Sequence, residues 1–280
     1  MLSSVSSIGA CKRFKMSSFK FCANLNFMFL ECPNLLERYN LAKKAGFQAV
    51  EVGFPYIHSS EELVKAKEDA GLKQVLINVF VGDVTKGELG FAAIPGQEDA
   101  FQASVQKAVN YAKTLDCKLI HIMSGAVQSP GAANHETYET NIRWATQVFE
   151  KENIVGLIEP INRRSVPNYY MSSYVAAVDL VKKINSPNLK IMLDIFHLQQ
   201  LHGNLTSNIE ALATAGLIGH VQIAQVPLRG EPDTVGEINY AYLFSVLEKI
   251  KYDGWIGLEY KPAVGTAEGL KWVEKMGFKL

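Results

Sequence analysis

Short apolar runs alternate with amphipathic helical patterns along most of the chain. Several of the apolar runs are nearly continuous, which is typical of strands that are buried on both faces. The predicted strands are Phe19–Leu25, Ala49–Phe54, Gln74–Phe80, Leu119–Ser124, Val155–Ile161, Lys190–Phe196, Gly219–Ala224 and Trp255–Tyr260. Helical patterns between them include Leu35–Ala45, Glu61–Ala70, Ala100–Leu115, Ser172–Ile184 and Asn239–Ile250.

The alternation of strand and helix predicts the fold class. Repeated βα units build a parallel sheet, and eight units favour a closed (β/α)8 TIM barrel of class α/β over an open, doubly wound sheet. No G-x-G-x-x-G motif follows the first strand, so we expect no nucleotide cofactor. A chain of 280 residues with 48% hydrophobic residues can fold as one barrel domain. We therefore predict a single barrel over residues 19–280.

The first 18 residues have a different composition. No acidic residue precedes Glu31, and basic and serine residues crowd this stretch. That composition suits a transit peptide, which would imply a mitochondrial location. The other interpretation is a disordered extension ahead of an alternative start at Met16, which leaves a cytoplasmic location as the first expectation. In both cases residues 1–18 lie outside the predicted domain.

Charge and cysteine content narrow the classes of partner. Lysine plus arginine and aspartate plus glutamate both total 28, so the chain has no net positive field to attract nucleic acid. No apolar run approaches the roughly 20 residues of a membrane-spanning helix. The four cysteines show no C-x-x-C spacing and fit a reducing compartment. We expect a small-molecule partner, and the oligomeric state, including a homo-oligomer, stays open.

Four polar residues lie near the carboxyl ends of the last four predicted strands: Glu159, Asp194, Gln222 and Glu259. In a TIM barrel the active site lies at the carboxyl ends of the strands. Charges that end apolar strands must be paired or bind a metal, so a structural ion pair is the alternative for each single acid. Carboxylate and amide oxygens suit Mg²⁺ or Mn²⁺ better than zinc. We predict that these four residues hold a divalent cation.

Several motifs resemble those of known families. The segments Glu159-Pro-Ile-Asn162, Leu-Asp194-x-x-His197 and Leu-Glu259-Tyr resemble the xylose isomerase-like barrel superfamily. Within it, the run from Gly219 to Asp233 and the loop containing Ala-x-Pro95-Gly96 resemble hydroxypyruvate isomerases. The resemblance covers about residues 19–277. It implies interconversion of hydroxypyruvate and tartronate semialdehyde, a link to glyoxylate metabolism, and catalytic glutamates at Glu159 and Glu259.

The implied reaction explains the need for two carboxyl groups. A proton must leave C3 of hydroxypyruvate and another must reach C2, through an enediolate. One glutamate can act as base and the other as acid, with their order left open. A cation would act as Lewis acid on the substrate oxygens. Related sugar epimerases carry a metal-binding histidine where this chain has Gln222, so the chain departs from them at that ligand.

Further residues are predicted to bind the substrate. Arginine grips carboxylates bidentately, so Arg229 is the first candidate for the substrate carboxylate, with a loop ion pair to Glu231 as its alternative. Lys261 is the second candidate. His197 matches a histidine that contacts substrate oxygens in the similar epimerases.

Other polar and aromatic residues are given structural roles. His121, His220, Asn78 and Tyr56 lie near predicted strand ends and are expected to support the site or the fold rather than to act in catalysis. Phe19, Phe21, Phe27 and Phe29 are expected in the core or at an interface. The long segment Gly82–Glu98 is expected to be a functional loop.

Three competing interpretations remain. A ketose 3-epimerase would use the same two glutamates, although Gln222 and Arg229 argue against it. A relative that cleaves DNA at abasic sites would need a cluster of zinc ligands and a basic groove, and six histidines at zero net charge argue against that. The third is a barrel that binds a metabolite without catalysis.

Overall fold

The computed structural model describes residues 19–280, so the predicted N-terminal extension lies outside the described residues. Eight parallel strands form a closed barrel in sequence order, and the last strand pairs with the first. The predicted TIM barrel is therefore confirmed. The strands are β1 Lys20–Asn24, β2 Ala49–Val52, β3 Lys73–Asn78, β4 Leu119–His121, β5 Val155–Ile158, β6 Leu189–Asp194, β7 Ile218–Ile223 and β8 Trp255–Leu258.

Ten helices accompany the strands within the described residues. They are α1 Leu35–Lys44, α2 Ser60–Ala70, α3 Glu98–Leu115, α4 Ala132–Glu152, α5 Tyr174–Ile184, α6 Ile195–Leu201, α7 Leu205–Thr214, α8 Tyr240–Lys249, α9 Thr266–Gly269 and α10 Lys271–Lys275. Among these helices, none is long and apolar enough to cross a membrane.

Alternation along the strands separates two apolar layers. On β1, Phe21 and Ala23 belong to the large cluster that also contains the buried helix residues, whereas Cys22 belongs to a small cluster with Leu76 and Met192. The small cluster fills the barrel interior, because successive side chains of a strand point to opposite faces. A cavity lies above it at the carboxyl ends of the strands.

Several predicted strands extend beyond the observed ones at their carboxyl ends. The prediction placed the end of β4 at Ser124 and that of β5 at Ile161, but these strands end at His121 and Ile158. Ser124 accepts a hydrogen bond from the N–H of Ala93, and Ile161 donates one to the carbonyl of Met171. Ser124 and Ile161 therefore pair with loops rather than with the neighbouring strands.

The loop between β3 and α3 packs over the end of β4. Its Gly90 has φ of +99°, and a Cβ there would lie 2.3 Å from the carbonyl oxygen of Met123. Ala92 and Ala93 are buried, and Leu89 lines the cavity. This predicted functional loop therefore forms one wall of the cavity.

Candidate active site

A cavity of about 220 Å³ opens at the carboxyl ends of the strands. Five of the residues predicted for the site line it: Glu159, His197, Gln222, Arg229 and Glu259. Asp194 does not line the cavity; it is fully buried and contacts Arg229 and His197. Lys261 does not line the cavity, and its side chain is exposed. The structure therefore places Lys261 apart from the predicted group: it is two residues beyond Glu259, where the chain has left β8.

Asp194 ends β6 and begins α6. Its Oδ1 accepts hydrogen bonds from the N–H groups of Phe196 and His197, at 2.8 and 3.4 Å. An aspartate at this position satisfies the first N–H groups of a helix, which explains why the strand changes to a helix here. Burial raises the pKa of Asp194, while Arg229 and these two N–H groups oppose the rise.

Arg229 connects two of the predicted cation ligands. Its Nη2 donates to Oδ2 of Asp194 at 3.2 Å and to Oε2 of Glu259 at 2.8 Å. The guanidinium lies between the rings of Phe27 and Phe196, 4.6 and 4.8 Å from their centroids. Stacking on two rings and hydrogen bonding to two carboxylates hold the guanidinium group of Arg229 in one orientation at the cavity wall.

The alternative partner predicted for Arg229 is engaged elsewhere. Oε1 of Glu231 accepts from the N–H of Ala263 instead. Arg229 itself has φ of +57°, a strained conformation for a residue with a side chain. The loop is thus shaped to direct this arginine into the cavity rather than toward Glu231.

Glu159 and Glu259 are carboxyl groups in an environment that favours the neutral form. Burial raises the pKa of Glu159 well above its usual range, and the charges of Glu259 and Asp194 add to the rise while Arg229 opposes it. Burial also raises the pKa of Glu259 to about 8, with Arg229 opposing and Asp194 adding. Carboxyl groups with raised pKa values in a cavity are typical of acid–base catalysts.

The two glutamates differ in their hydrogen bonds. Within residues 19–280, Oε1 of Glu159 has no hydrogen-bond partner, although it is buried. Its Oε2 lies 3.5 Å from Nδ1 of His121, whose pKa burial lowers to about 3. Glu259, in contrast, accepts a charge-assisted hydrogen bond from Arg229. The ionised form is therefore better supported at Glu259 than at Glu159.

His197 is a neutral donor with a defined tautomer. Its Nδ1 accepts from the backbone N–H and the side-chain amide of Asn162, at 3.2 and 2.6 Å. The ring proton must then be on Nε2, which lies 3.5 Å from Oδ2 of Asp194 and 3.7 Å from Oε1 of Glu159. Burial lowers the pKa of His197. An N–H group thus points between two carboxyl groups without bonding tightly to either.

Gln222 is held from below by a carboxylate that sequence reasoning missed. Its Nε2 donates to Oε1 of Glu51 at 2.7 Å. Glu51 is fully buried inside the barrel and also accepts from Asn24 and His220. A signal was present in the sequence, because a glutamate interrupts the apolar run Ala-Val-Glu-Val of β2.

The remaining expectations have mixed outcomes. Phe19, Phe21 and Phe29 are buried in the core as predicted, but Phe27 lines the cavity and stacks on Arg229. His220 supports the site from inside the barrel, through its hydrogen bond to Glu51. Other cavity-lining polar residues are Asn24, Asn26, Asn78 and His121. The placement of Phe27 could not be read from its sequence neighbours, which are mostly apolar.

The described residues contain groups of atoms close enough to bind a metal. Ligand atoms of Glu159, Asp194 and His197 lie within 4.8 Å of one another. The buried Oε1 atoms of Glu159 and Gln222 have no hydrogen-bond partner among residues 19–280. Buried oxygens are normally paired, so these two call for a partner such as a cation. Two of the predicted ligands, Glu159 and Gln222, therefore each have an oxygen atom available to a cation. The other two predicted ligands, Asp194 and Glu259, already bind Arg229.

Comparison with known proteins assigns the family. A family model described as "Xylose isomerase-like TIM barrel" matches residues 39–276. The chain belongs to this family. A protein of Escherichia coli (strain K12) named "Hydroxypyruvate isomerase" is 40% identical, covering 91% of this chain and 98% of the relative.

Two further proteins that are similar to this chain carry different names. A Cupriavidus necator protein named "2-oxo-tetronate isomerase" is 41% identical, over 91% of this chain and 97% of the relative. A solved structure from Brucella melitensis, titled "AP endonuclease, family 2", is 44% identical with a TM-score of 0.88, covering 91% of this chain and 98% of that chain. The chain is thus an isomerase of the xylose isomerase-like superfamily.

Proposed function

We propose that this isomerase interconverts hydroxypyruvate and tartronate semialdehyde by proton transfer between two glutamates. One observation carries the proposal: Glu159 and Glu259 face the same cavity with raised pKa values, beside the guanidinium of Arg229. This combination suits a small, anionic substrate that must lose and gain a proton at adjacent carbons. The name of the E. coli relative supports the same substrate.

Arg229 binds the substrate carboxylate. Its Nη2 and Nε donate to Asp194 and Glu259, whereas its Nη1 makes no hydrogen bond within residues 19–280. The free N–H groups of Nη1 are available to an anion that enters the cavity. Stacking on Phe27 and Phe196 keeps these donors in place and lowers the entropy that binding would cost.

Glu259 acts as base and Glu159 as acid in the direction from hydroxypyruvate. The hydrogen bond from Arg229 favours the carboxylate of Glu259, which takes the proton from C3. The electrons of that C–H bond form the C2–C3 double bond of the enediolate, and the C2 carbonyl oxygen takes up the charge. Glu159 then gives its proton to C2, while the hydroxyl proton of O3 passes to O2 and leaves an aldehyde at C3. Return of the proton from Glu259 to Glu159 resets the site.

His197 stabilises the enediolate. Its Nε2–H group faces the space between Asp194 and Glu159 and bonds tightly to neither. A neutral donor aimed at a developing negative oxygen lowers the barrier without giving up its proton. Asn162 holds this tautomer through its two hydrogen bonds to Nδ1.

A divalent cation, Mg²⁺ or Mn²⁺, would be held by Glu159, Asp194, Gln222 and Glu259. The free Oε1 atoms of Glu159 and Gln222 support this assignment. When bound, the cation would supply Lewis-acid stabilisation of the substrate oxygens. Because Arg229 bonds to Asp194 and Glu259, the cation would have to share these carboxylates with the guanidinium.

A four-carbon 2-oxo acid is the second candidate substrate. The Cupriavidus relative is named for 2-oxo-tetronate, and that substrate shares the carboxylate and the neighbouring carbonyl. The same Arg229 and glutamate pair would serve both acids. A ketose lacks the carboxylate and would leave the free donors of Arg229 without a partner, which argues against ketose 3-epimerisation.

The test is turnover of hydroxypyruvate by the purified protein, with and without EDTA, beside 2-oxo-tetronate and a ketose. The E259Q and E159Q variants should each lose about 10²–10⁴-fold in kcat. In D2O, E159Q should still exchange the C3 hydrogens of hydroxypyruvate, while E259Q should not. The opposite exchange pattern would reverse the two roles. Turnover of the ketose alone would overturn the substrate assignment.

A further inference from the structure

Glu51 is a buried carboxylate outside the proposed reaction. It lies in the middle of β2, and no part of it is exposed to solvent. Its partners His220 and Gln222 belong to β7, which is not a neighbour of β2 in the barrel order. The contact therefore crosses the barrel interior, directly below the cavity.

Both oxygens of Glu51 are occupied by donors. Oε1 accepts from Nδ2 of Asn24 at 2.8 Å and from Nε2 of Gln222 at 2.7 Å. Oε2 accepts from Nε2 of His220 at 2.7 Å and lies 3.6 Å from Sγ of Cys22. Such a set of donors holds a carboxylate in its ionised form.

The contact with Glu51 fixes the orientation of the Gln222 amide. Only the NH2 group of an amide can face a carboxylate, since its carbonyl oxygen would be repelled. With Nε2 bound to Glu51, Oε1 becomes the polar atom left for the cavity that Gln222 lines. This Oε1 atom is buried and has no hydrogen-bond partner within residues 19–280.

We propose that Glu51 is a positioning residue of the active site, because its carboxylate holds the amide of Gln222 with the carbonyl oxygen, rather than the NH2 group, directed to the substrate and its cation. The inference rests on the proposed function of this same cavity. Glu51 touches neither substrate nor cation and acts through Gln222. Carboxylates behind a ligand orient it in this way at metal sites in general.

The barrel leaves space for this arrangement. The residue of β8 opposite Gln222 is Gly257, and a Cβ there would lie 2.5 Å from Oε1 of Glu51. Glu259 follows two residues later, directly after the end of β8, so the Glu51 carboxylate lies below the acid–base pair. A side chain at position 257 would push Glu51 away from Gln222.

The test exchanges acid and amide between the two positions. Q222E places two carboxylates against each other and should lower kcat/KM and Mn²⁺ affinity by about 10–100-fold. E51Q offers one acceptor oxygen to two pairs of donors and should lower kcat/KM and Mn²⁺ affinity by about tenfold. In the double variant E51Q/Q222E the amide of residue 51 can donate to the carboxylate of residue 222. The kcat/KM and Mn²⁺ affinity of the double variant should therefore be about tenfold higher than those of Q222E.

The control is Q222M, which has similar size but no oxygen. E51Q should not improve Q222M, because the missing oxygen cannot be restored. Free Mn²⁺ is measured by electron paramagnetic resonance, and thermal unfolding of every variant reports folding. Losses that multiply in E51Q/Q222E, or variants that lower the melting temperature while leaving kcat/KM and Mn²⁺ affinity unchanged, would make Glu51 purely structural.

Failure of the proposed function has a separate signature. The kinetic arm uses hydroxypyruvate or 2-oxo-tetronate, whichever the wild-type protein converts. If the wild-type protein converts neither acid, the proposed function is contradicted. The Mn²⁺ affinities of wild type, E51Q, Q222E and E51Q/Q222E then decide the role of Glu51. Equal affinities in all four would overturn the positioning role, whereas recovery in the swapped variant would support it.

Discussion

Nη2 of Arg229 lies 2.8 Å from Oε2 of Glu259 and 3.2 Å from Oδ2 of Asp194. One guanidinium nitrogen thus bridges two carboxylates that were predicted from the sequence as cation ligands. A guanidinium and a divalent cation compete for the same oxygen lone pairs. The strength of cation binding therefore depends on this arginine as well as on the ligands.

Replacing Arg229 by methionine should separate the two roles of the arginine. We expect R229M to bind Mn²⁺ about tenfold more tightly, because Asp194 and Glu259 lose a competing cation. The same variant should raise the KM for hydroxypyruvate by about 10–100-fold through loss of a charge-assisted contact. Titration with Mn²⁺ and initial-rate kinetics measure the two effects. Weaker Mn²⁺ binding by R229M would contradict the competition.

Lys261→Met is the matched control for R229M. Both changes remove one positive charge near β8, but the side chain of Lys261 is exposed and outside the cavity. We expect its KM for hydroxypyruvate to stay within about twofold of wild type, as is usual for exposed substitutions. A tenfold rise would restore Lys261 as a substrate-binding residue.

The rate should depend on pH through Glu259. As the base, it must be ionised, and its pKa is raised to about 8 by burial. The value of kcat/KM for hydroxypyruvate should therefore fall as the pH drops below about 8. Because Arg229 opposes the rise, R229M should move this fall to higher pH. A pH profile that is flat between 6 and 9 would remove Glu259 from the role of base.

Glu159 should make the folded protein less stable as the pH rises. Its pKa in the folded state is raised, whereas an unfolded glutamate titrates near its usual value of about 4.3. Between these two pKa values the unfolded chain has released a proton that the folded chain retains, so stability falls with increasing pH. E159Q removes this penalty and should melt a few degrees above wild type at pH 8, with no gain at pH 4.

Glu139→Gln provides a control of opposite sign. Hydrogen bonds from Lys183 and Arg143 lower the pKa of Glu139, so this carboxylate does not weaken the fold at neutral pH. We expect E139Q to melt at or slightly below the wild-type temperature at pH 8. Thermal unfolding at pH 4, 6 and 8 compares the two variants. A gain in stability from E139Q equal to that from E159Q would show that burial of Glu159 is not the cause.

Gly257→Ala should destabilise the barrel. The new Cβ would lie 2.5 Å from Oε1 of Glu51, in an interior that is packed on every side. Forcing an extra methyl group into such a site costs about 1–3 kcal/mol. Gly131→Ala is the control, since a Cβ there meets nothing within 4 Å. Chemical denaturation that gives equal stability for both variants would contradict the close packing around Glu51.

The order of strands and helices was predictable because it is a local property. Burial on both faces makes each barrel strand a continuous apolar run, such as Ile191–Leu193, and this signal does not depend on distant residues. The same signal carried the predicted strands too far, as at Ser124 and Ile161. Only the hydrogen bonds of the loops decide where a strand ends.

The sequence alone also determined which polar residues lie at the carboxyl ends of the last four strands. Glu159, Asp194, Gln222 and Glu259 follow apolar runs, and closure of the barrel had to bring the ends of those runs together. The side chain that each of them contacts was decided only by the tertiary structure. Glu51 and Gln222 are separated by 171 positions, and Arg229 meets Phe27 from the opposite end of the chain. No local pattern encodes these contacts, because they form only when β1 and β2 come into reach of β7 and β8 as the barrel closes.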